Sequence, residues 1–327
     1  MLHRSIVCTA FAVVVATGCA GGEPKSKAEE KPAAAPVLDT REVSYTAGST
    51  NLKGFVAWDS TVHTKRPGVL VVHEWWGHNE HAREQARRLA RAGYVGLALD
   101  MYGDGKNTTH PDTAQMFMQA VVKDMPAMVA RFQAALAQLK ADPNVDTTRI
   151  AAIGYCFGGA VVLGIGQSRM PLKAVVSFHG AMPPAAKVDS GSVKARMLVL
   201  AGGADPMVPS AAVDSFATRM KKAGASIEVV SYPGVMHSFT NPNADKAGAE
   251  VSKPRRHHRR PAIVGRDAET LQRRAAVIRS GATVALGYRR SQRNGFTWCR
   301  QHSGTSLRSS ASACAALVRK SSVACTT

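Results

Sequence analysis

The 327-residue chain reads as an α/β protein built on a mainly parallel β-sheet with helices on both faces. Three observations predict this. Between Arg41 and Gly248, short apolar runs of strand length alternate with stretches of helical periodicity, as expected when crossover helices join parallel strands. Three of those runs end in tight, glycine-bearing turns that carry Cys156, Asp205 and His237. The region is about 200 residues long, enough for one domain with a full core.

Gly68-Val69-Leu70-Val71-Val72 is an apolar strand that opens into His73-Glu74-Trp75-Trp76-Gly77-His78. A helix starts near Asn79, sets Ala82, Ala86, Leu89 and Ala90 on one side and stops at Gly93. A further strand ends at Leu99-Asp100 and leads into Tyr102-Gly103-Asp104-Gly105-Lys106. A long helical stretch covers Thr113 to Lys140 and is expected to bend or restart at Pro126, because proline lacks the N–H that a helix interior requires. Arg149 to Ile153 reads as a buried strand, and Ala160 to Leu163 as the helix that follows it. Two later strands, Ala195 to Ala201 and Ser226 to Tyr232, lead to Asp205 and His237. We find no internal repeat and no cap domain, so any lid comes from loops such as 103–112.

The turn between the strand and helix around residue 156, Gly154-Tyr155-Cys156-Phe157-Gly158-Gly159, has the form of a nucleophile elbow, in which small residues let strand and helix approach while the nucleophile projects. Nucleophile, acid and histidine then follow in the α/β-hydrolase order. Each residue also has a purely structural reading: Cys156 as a core thiol, Asp205 as a turn former before Pro206, His237 as a loop histidine, Glu74 as a strand-end carboxylate. The shared order favours catalysis. His73-Glu74 is not a zinc-protease motif, since the second histidine stands at 78 rather than 77. No metal site, phosphate loop or dinucleotide fingerprint is present, and no cofactor is expected.

Taken together, Glu74 in His-Glu-x-x-Gly, Cys156 in Gly-x-Cys-x-Gly-Gly, the Asp205 loop and the His237 loop resemble the dienelactone hydrolase family over residues 41–248. The resemblance implies an α/β-hydrolase fold, an ester or lactone as small-molecule substrate and a Cys156–His237–Asp205 triad, with Glu74 helping to generate the thiolate. The backbone N–H of Phe157, next after the nucleophile, is the first expected oxyanion donor, and that of Trp75 the second. Trp76, Tyr102 and Ser238 are expected to line the pocket. His73, His78, His81 and His179 are assigned to structure or support. The characterised dienelactone-cleaving members carry arginine in the loop after Tyr102 and again shortly after the histidine; this chain has Lys106 in the first and no arginine between Thr240 and Asp245. A lysine does not reproduce bidentate carboxylate capture.

Residues 1–18 read as an export signal, with Arg4 before a short apolar stretch from Ile6 to Val15. Ala16-Thr17-Gly18-Cys19 resembles a lipoprotein cleavage box, which makes Cys19 the expected lipid anchor of an exported, periplasm-facing protein; ordinary cleavage after a small residue, giving a secreted protein, is the alternative. Residues 19–40, rich in Pro, Ala, Gly and charge, read as a flexible tether, and 41–250 as the hydrolase-like domain. The net charge of +19 is concentrated in the tail: residues 251–327 hold 16 Lys and Arg against 2 acids, whereas residues 1–250 hold 26 against 21. That tail has no apolar periodicity. Out-of-frame translation of a GC-rich gene is the preferred account, and an independently confirmed frame to Thr327 would overturn it. A basic, partly disordered tail that binds nucleic acid or anionic lipid is the alternative; export away from cytoplasmic DNA argues against nucleic acid as its partner. A damaged C-terminus also leaves room for a non-catalytic, lipid-anchored binding protein that retains the fold.

Overall fold

The computed structural model of the chain describes residues 35–184 and 188–244. The expectations for the export signal, Cys19, the start of the tether and the basic tail lie outside those residues.

The elements run β1 (Leu38–Ala47), β2 (Thr50–Asp59), β3 (Arg66–Val72), α1 (Glu80–Arg91), β4 (Val95–Leu99), α2 (Pro111–Lys123), α3 (Met125–Lys140), β5 (Val145–Tyr155), α4 (Phe157–Gly166), β6 (Ala174–Phe178), β7 (Arg196–Gly202), α5 (Ser210–Lys222) and β8 (Ile227–Tyr232). The eight strands form one sheet in the order β1-β2-β4-β3-β5-β6-β7-β8. β1 and β2 form an antiparallel hairpin and β2 is antiparallel to β4; every other pairing is parallel. This is the mainly parallel α/β-hydrolase architecture that the sequence predicts.

β3, β4 and β6 are buried along their whole length, which is why they read as unbroken apolar runs rather than alternating ones. Successive residues still face opposite sides. Leu70, Val72, Leu97 and Leu99 join Phe132, Leu139, Val162 and Phe216 in one core, while Val69, Val71 and Ala98 join Ala82, Ala86 and Leu89 of α1 in the other. The Asn79 side chain caps α1 by accepting the Ala82 N–H at 3.3 Å. The long helical stretch divides in two: α2 ends at Lys123, and α3 restarts at Met125 with Pro126 in its first turn, where its missing N–H costs nothing, capped by Asp124.

One boundary differs. β1 begins at Leu38, so Leu38 to Thr40 belong to the sheet rather than the tether, paired with Asp59 to Ala57. Asp39 and Thr40 are exposed on this edge strand, and their polar character conceals the pairing. The carboxyl ends of β3, β4, β5, β7 and β8 lie along the same edge of the parallel sheet, the edge where open α/β sheets carry their sites.

Candidate active site

Cys156 leaves β5 with φ 53° and ψ −115°, a left-handed conformation that a non-glycine residue adopts only when its surroundings enforce it. Its N–H donates to the Phe178 carbonyl at 3.0 Å, which ties the turn to β6. Two glycines make room for it. A Cβ at Gly154 would collide with the Gly158 carbonyl, and one at Gly158 with the carbonyls of Val72 and His73. α4 therefore starts directly against the end of β3.

From this elbow the Cys156 Sγ lies 3.2 Å from His237 Nε2, and His237 Nδ1 lies 2.7 Å from Asp205 Oδ2. Asp205 Oδ1 accepts the N–H groups of Met207 at 2.9 Å and Val208 at 3.2 Å, which fixes the carboxylate without using the oxygen that faces histidine. Both Asp205 and His237 are buried. Burial alone would push the His237 imidazole down; the hydrogen bonds to Asp205 and to Cys156, with the charges of both, outweigh it and carry the pKa up to about 10. The sequence order thus corresponds to a continuous path of three side chains.

Glu74 is 2 % exposed. Its Oε2 accepts from Asn241 Nδ2 at 2.8 Å, and its Oε1 has no hydrogen-bond partner among the described residues. Glu74 is joined to the His237 loop rather than to the Cys156 sulfur. Asn241 is not marked as a site residue by the sequence. It follows His237 by four residues, and an asparagine in Asn-Pro-Asn reads as a turn former; nothing in the sequence pairs it with Glu74.

Phe157 is the first residue of α4 and Trp75 lies in the loop after β3; no acceptor among the described residues takes the backbone N–H of either expected oxyanion donor. Trp75 and Trp76 are half-buried with ring centroids 4.8 Å apart. Tyr102 is buried, stacked on Phe157 at 5.7 Å and edge-on to His73 at 4.7 Å, and its hydroxyl donates to the Trp75 carbonyl at 2.9 Å. It braces the loop after β3. Ser238, with φ 55°, is half-buried and turns the chain immediately after His237. Lys106 pairs with Asp104 at 3.6 Å on the surface. His179, at the end of β6 with φ 42°, packs edge-on to His237 at 4.9 Å, and its Nε2 meets Thr240 Oγ1 at 2.8 Å. Burial, then the charges of His237 and His81, hold its pKa well below the ordinary histidine value.

A family model described as the dienelactone hydrolase family matches residues 52–260, which takes in the elbow, the Asp205 loop and the His237 loop. The chain belongs to the dienelactone hydrolase family. Family relatives include a predicted carboxymethylenebutenolidase of Methylorubrum extorquens, 32% identical over 183 residues that make up 53% of this chain and 63% of that protein. The chain thus spans less than two thirds of that relative. Protein usf of Aquifex pyrophilus is 29% identical over 61% of this chain and 86% of its own length. Among solved structures, m3DLH is 39% identical over 64% of this chain and 88% of its own, with a TM-score of 0.62. A dienelactone hydrolase-like promiscuous phosphotriesterase, P91, from metagenomic libraries is 34% identical over 73% and 95%, with a TM-score of 0.65.

Proposed function

We propose that the chain is a hydrolase that cleaves esters or lactones through a Cys156 thiolate. The observation that carries this reading is the unbroken path from Cys156 Sγ through His237 to Asp205, at 3.2 and 2.7 Å, on a strained elbow. A neutral thiol is a weak nucleophile. His237 Nε2 takes its proton, and Asp205 holds the ring in place and stabilises the imidazolium. The thiolate adds to the carbonyl carbon, and the carbonyl electron pair moves to oxygen. The N–H groups of Trp75 and Phe157 are assigned to that oxyanion. Collapse expels the alkoxide, which takes the proton from His237, and leaves a thioester on Cys156. Water, deprotonated by His237, then adds to the thioester; collapse releases the acid and restores the thiol. Glu74, the second carboxylate near the elbow, assists thiolate formation. Trp76, Tyr102 and Ser238 shape the pocket.

No arginine stands in the loop 103–110 or at 238–244, which favours substrates without a carboxylate to be gripped. The phosphotriesterase activity of the metagenomic relative P91 adds a phosphotriester to the candidates. In this proposal the protein acts outside the cytoplasm, held to a membrane through Cys19.

The test is hydrolysis of activated esters, lactones and one phosphotriester by the wild type and by Cys156→Ala matched for circular dichroism. Turnover lost only in the variant supports the reading. A folded wild type without turnover, or a variant as active as the wild type, overturns it.

A further inference from the structure

Three successive carbonyls after β3 are held by hydrogen bonds, the first from within its own loop and the next two from residues 102 and 108. The Glu74 carbonyl accepts from His73 Nδ1 at 2.6 Å and from the Gly77 N–H at 3.2 Å; the Trp75 carbonyl accepts from the Tyr102 hydroxyl at 2.9 Å; the Trp76 carbonyl accepts from the Thr108 N–H at 3.0 Å. A loop that must present one N–H to a reacting oxygen has to be stopped from rotating its peptides, because a flipped peptide offers a carbonyl where the donor should be.

The Glu74–Trp75 peptide matters most. It is trans, since the described residues contain no cis bond, so its N–H points opposite its carbonyl. Whatever fixes the Glu74 carbonyl therefore aims the Trp75 N–H. His73 holds it from a ring that is 1 % exposed and wedged between Tyr102, at 4.7 Å, and Phe157, at 6.0 Å. The ring's tautomer is also determined. The Met101 N–H, which can only donate, points at His73 Nε2 at 3.2 Å; Nε2 must be the bare nitrogen, and the single proton of a neutral ring sits on Nδ1, facing a carbonyl that can only accept. Burial pushes the His73 pKa down and keeps the ring neutral.

We propose that His73 is a positioning residue of the oxyanion hole: its Nδ1–H clamps the Glu74 carbonyl and so holds the Trp75 N–H in its catalytic direction. The assignment rests on the thiol-hydrolase reading above. It makes His73 act through a backbone donor, not on substrate.

Two reactions of the same sulfur separate this role from a general structural one. Ester hydrolysis builds an oxyanion and needs the hole. Alkylation of Cys156 by iodoacetamide is a direct displacement at carbon that builds none. The full chain would be compared as wild type, His73→Leu and His73→Asn, each matched by circular dichroism and thermal melting. Removing one oxyanion donor costs about 10²- to 10³-fold in turnover, so His73→Leu should lose about 10²-fold in kcat/KM for p-nitrophenyl acetate and alkylate at the wild-type rate. His73→Asn, whose amide places a donor close to the Nδ1 position, should recover most of the loss. If His73→Leu does not fold, the Asn variant compared with His73→Gln, which keeps an acceptor for Met101 but displaces the donor, makes the same distinction. Equal loss in both reactions, or no loss in hydrolysis, overturns the assignment while leaving the thiol hydrolase standing. A wild type with no Cys156-dependent hydrolysis overturns both.

Discussion

Glu74 and Asn241, 167 residues apart in sequence, are joined by a 2.8 Å hydrogen bond between two buried side chains. The bond ties the loop after β3 to the loop that carries His237. A neutral amide, rather than a cation, holds this carboxylate. Asn241→Ala strips it of its one side-chain partner among the described residues, and an orphaned buried polar group costs about 1–3 kcal/mol, more when charged; denaturant unfolding should show a loss of about 3 kcal/mol. Glu74→Gln keeps the accepting oxygen and the volume but removes the base. Its stability should change by under about 1 kcal/mol while kcat/KM falls about 10²-fold, the usual scale of general-base assistance. An active Glu74→Gln enzyme would remove Glu74 from the chemistry.

His237 supplies the pH dependence. Its pKa, about 10, lies above the ordinary 6.5. A group raised in this direction contributes stability that is fully present below about pH 6.5 and is lost as pH climbs through about 10. The imidazolium beside Cys156 persists over the same window, so iodoacetamide should alkylate Cys156 readily at neutral pH, followed on its own peptide because the chain has six cysteines. His237→Ala should alkylate slowly there and accelerate through about pH 8.5, as a free thiol does. Alkylation rates measured from neutral to alkaline pH check this, and superimposable profiles would contradict it.

Asp205→Asn leaves a hydrogen-bond partner for Nδ1 but removes the charge that favours imidazolium. Turnover should fall about 10³- to 10⁴-fold, the scale seen when a triad carboxylate becomes an amide. The high-pH loss of stability attributed to His237 should shrink with it. Paired kinetics and melting curves across pH would test both effects, and a pH-dependent melting profile identical to the wild type would refute the linkage.

Gly158→Ala is a packing test. The added Cβ meets the Val72 and His73 carbonyls, both backbone atoms at the end of β3, so the strain cannot relax through a side-chain rotamer. Overpacking of this kind costs about 1–3 kcal/mol, and here it also displaces the elbow. Unfolding should report that loss, together with a drop in ester hydrolysis greater than stability alone explains.

Much of this was legible in the sequence because β3 and the carboxyl-terminal parts of β5 and β7 are buried and read as continuous apolar runs. Cys156 and Asp205 follow such runs and His237 follows the half-exposed strand β8, so their order along successive strands predicts their convergence. Asn79 and Pro126 likewise mark helix starts through local chemistry. The β1–β2 hairpin was less legible, because its outer strand is polar and exposed. β6 is only five residues long and follows Pro171 without a strong turn signal. The pairing of Glu74 with Asn241 and the grip of His73 on the Glu74 carbonyl depend on how distant loops meet, which no local pattern encodes.

The central claim is covalent catalysis by Cys156, and the most direct measurement is mass spectrometry of the protein quenched in acid during turnover of an activated ester. The account predicts one acyl group, carried as a thioester on the peptide containing Cys156 and absent from Cys156→Ala. Undiminished hydrolysis by Cys156→Ala, or an acyl group on any other residue, would contradict it.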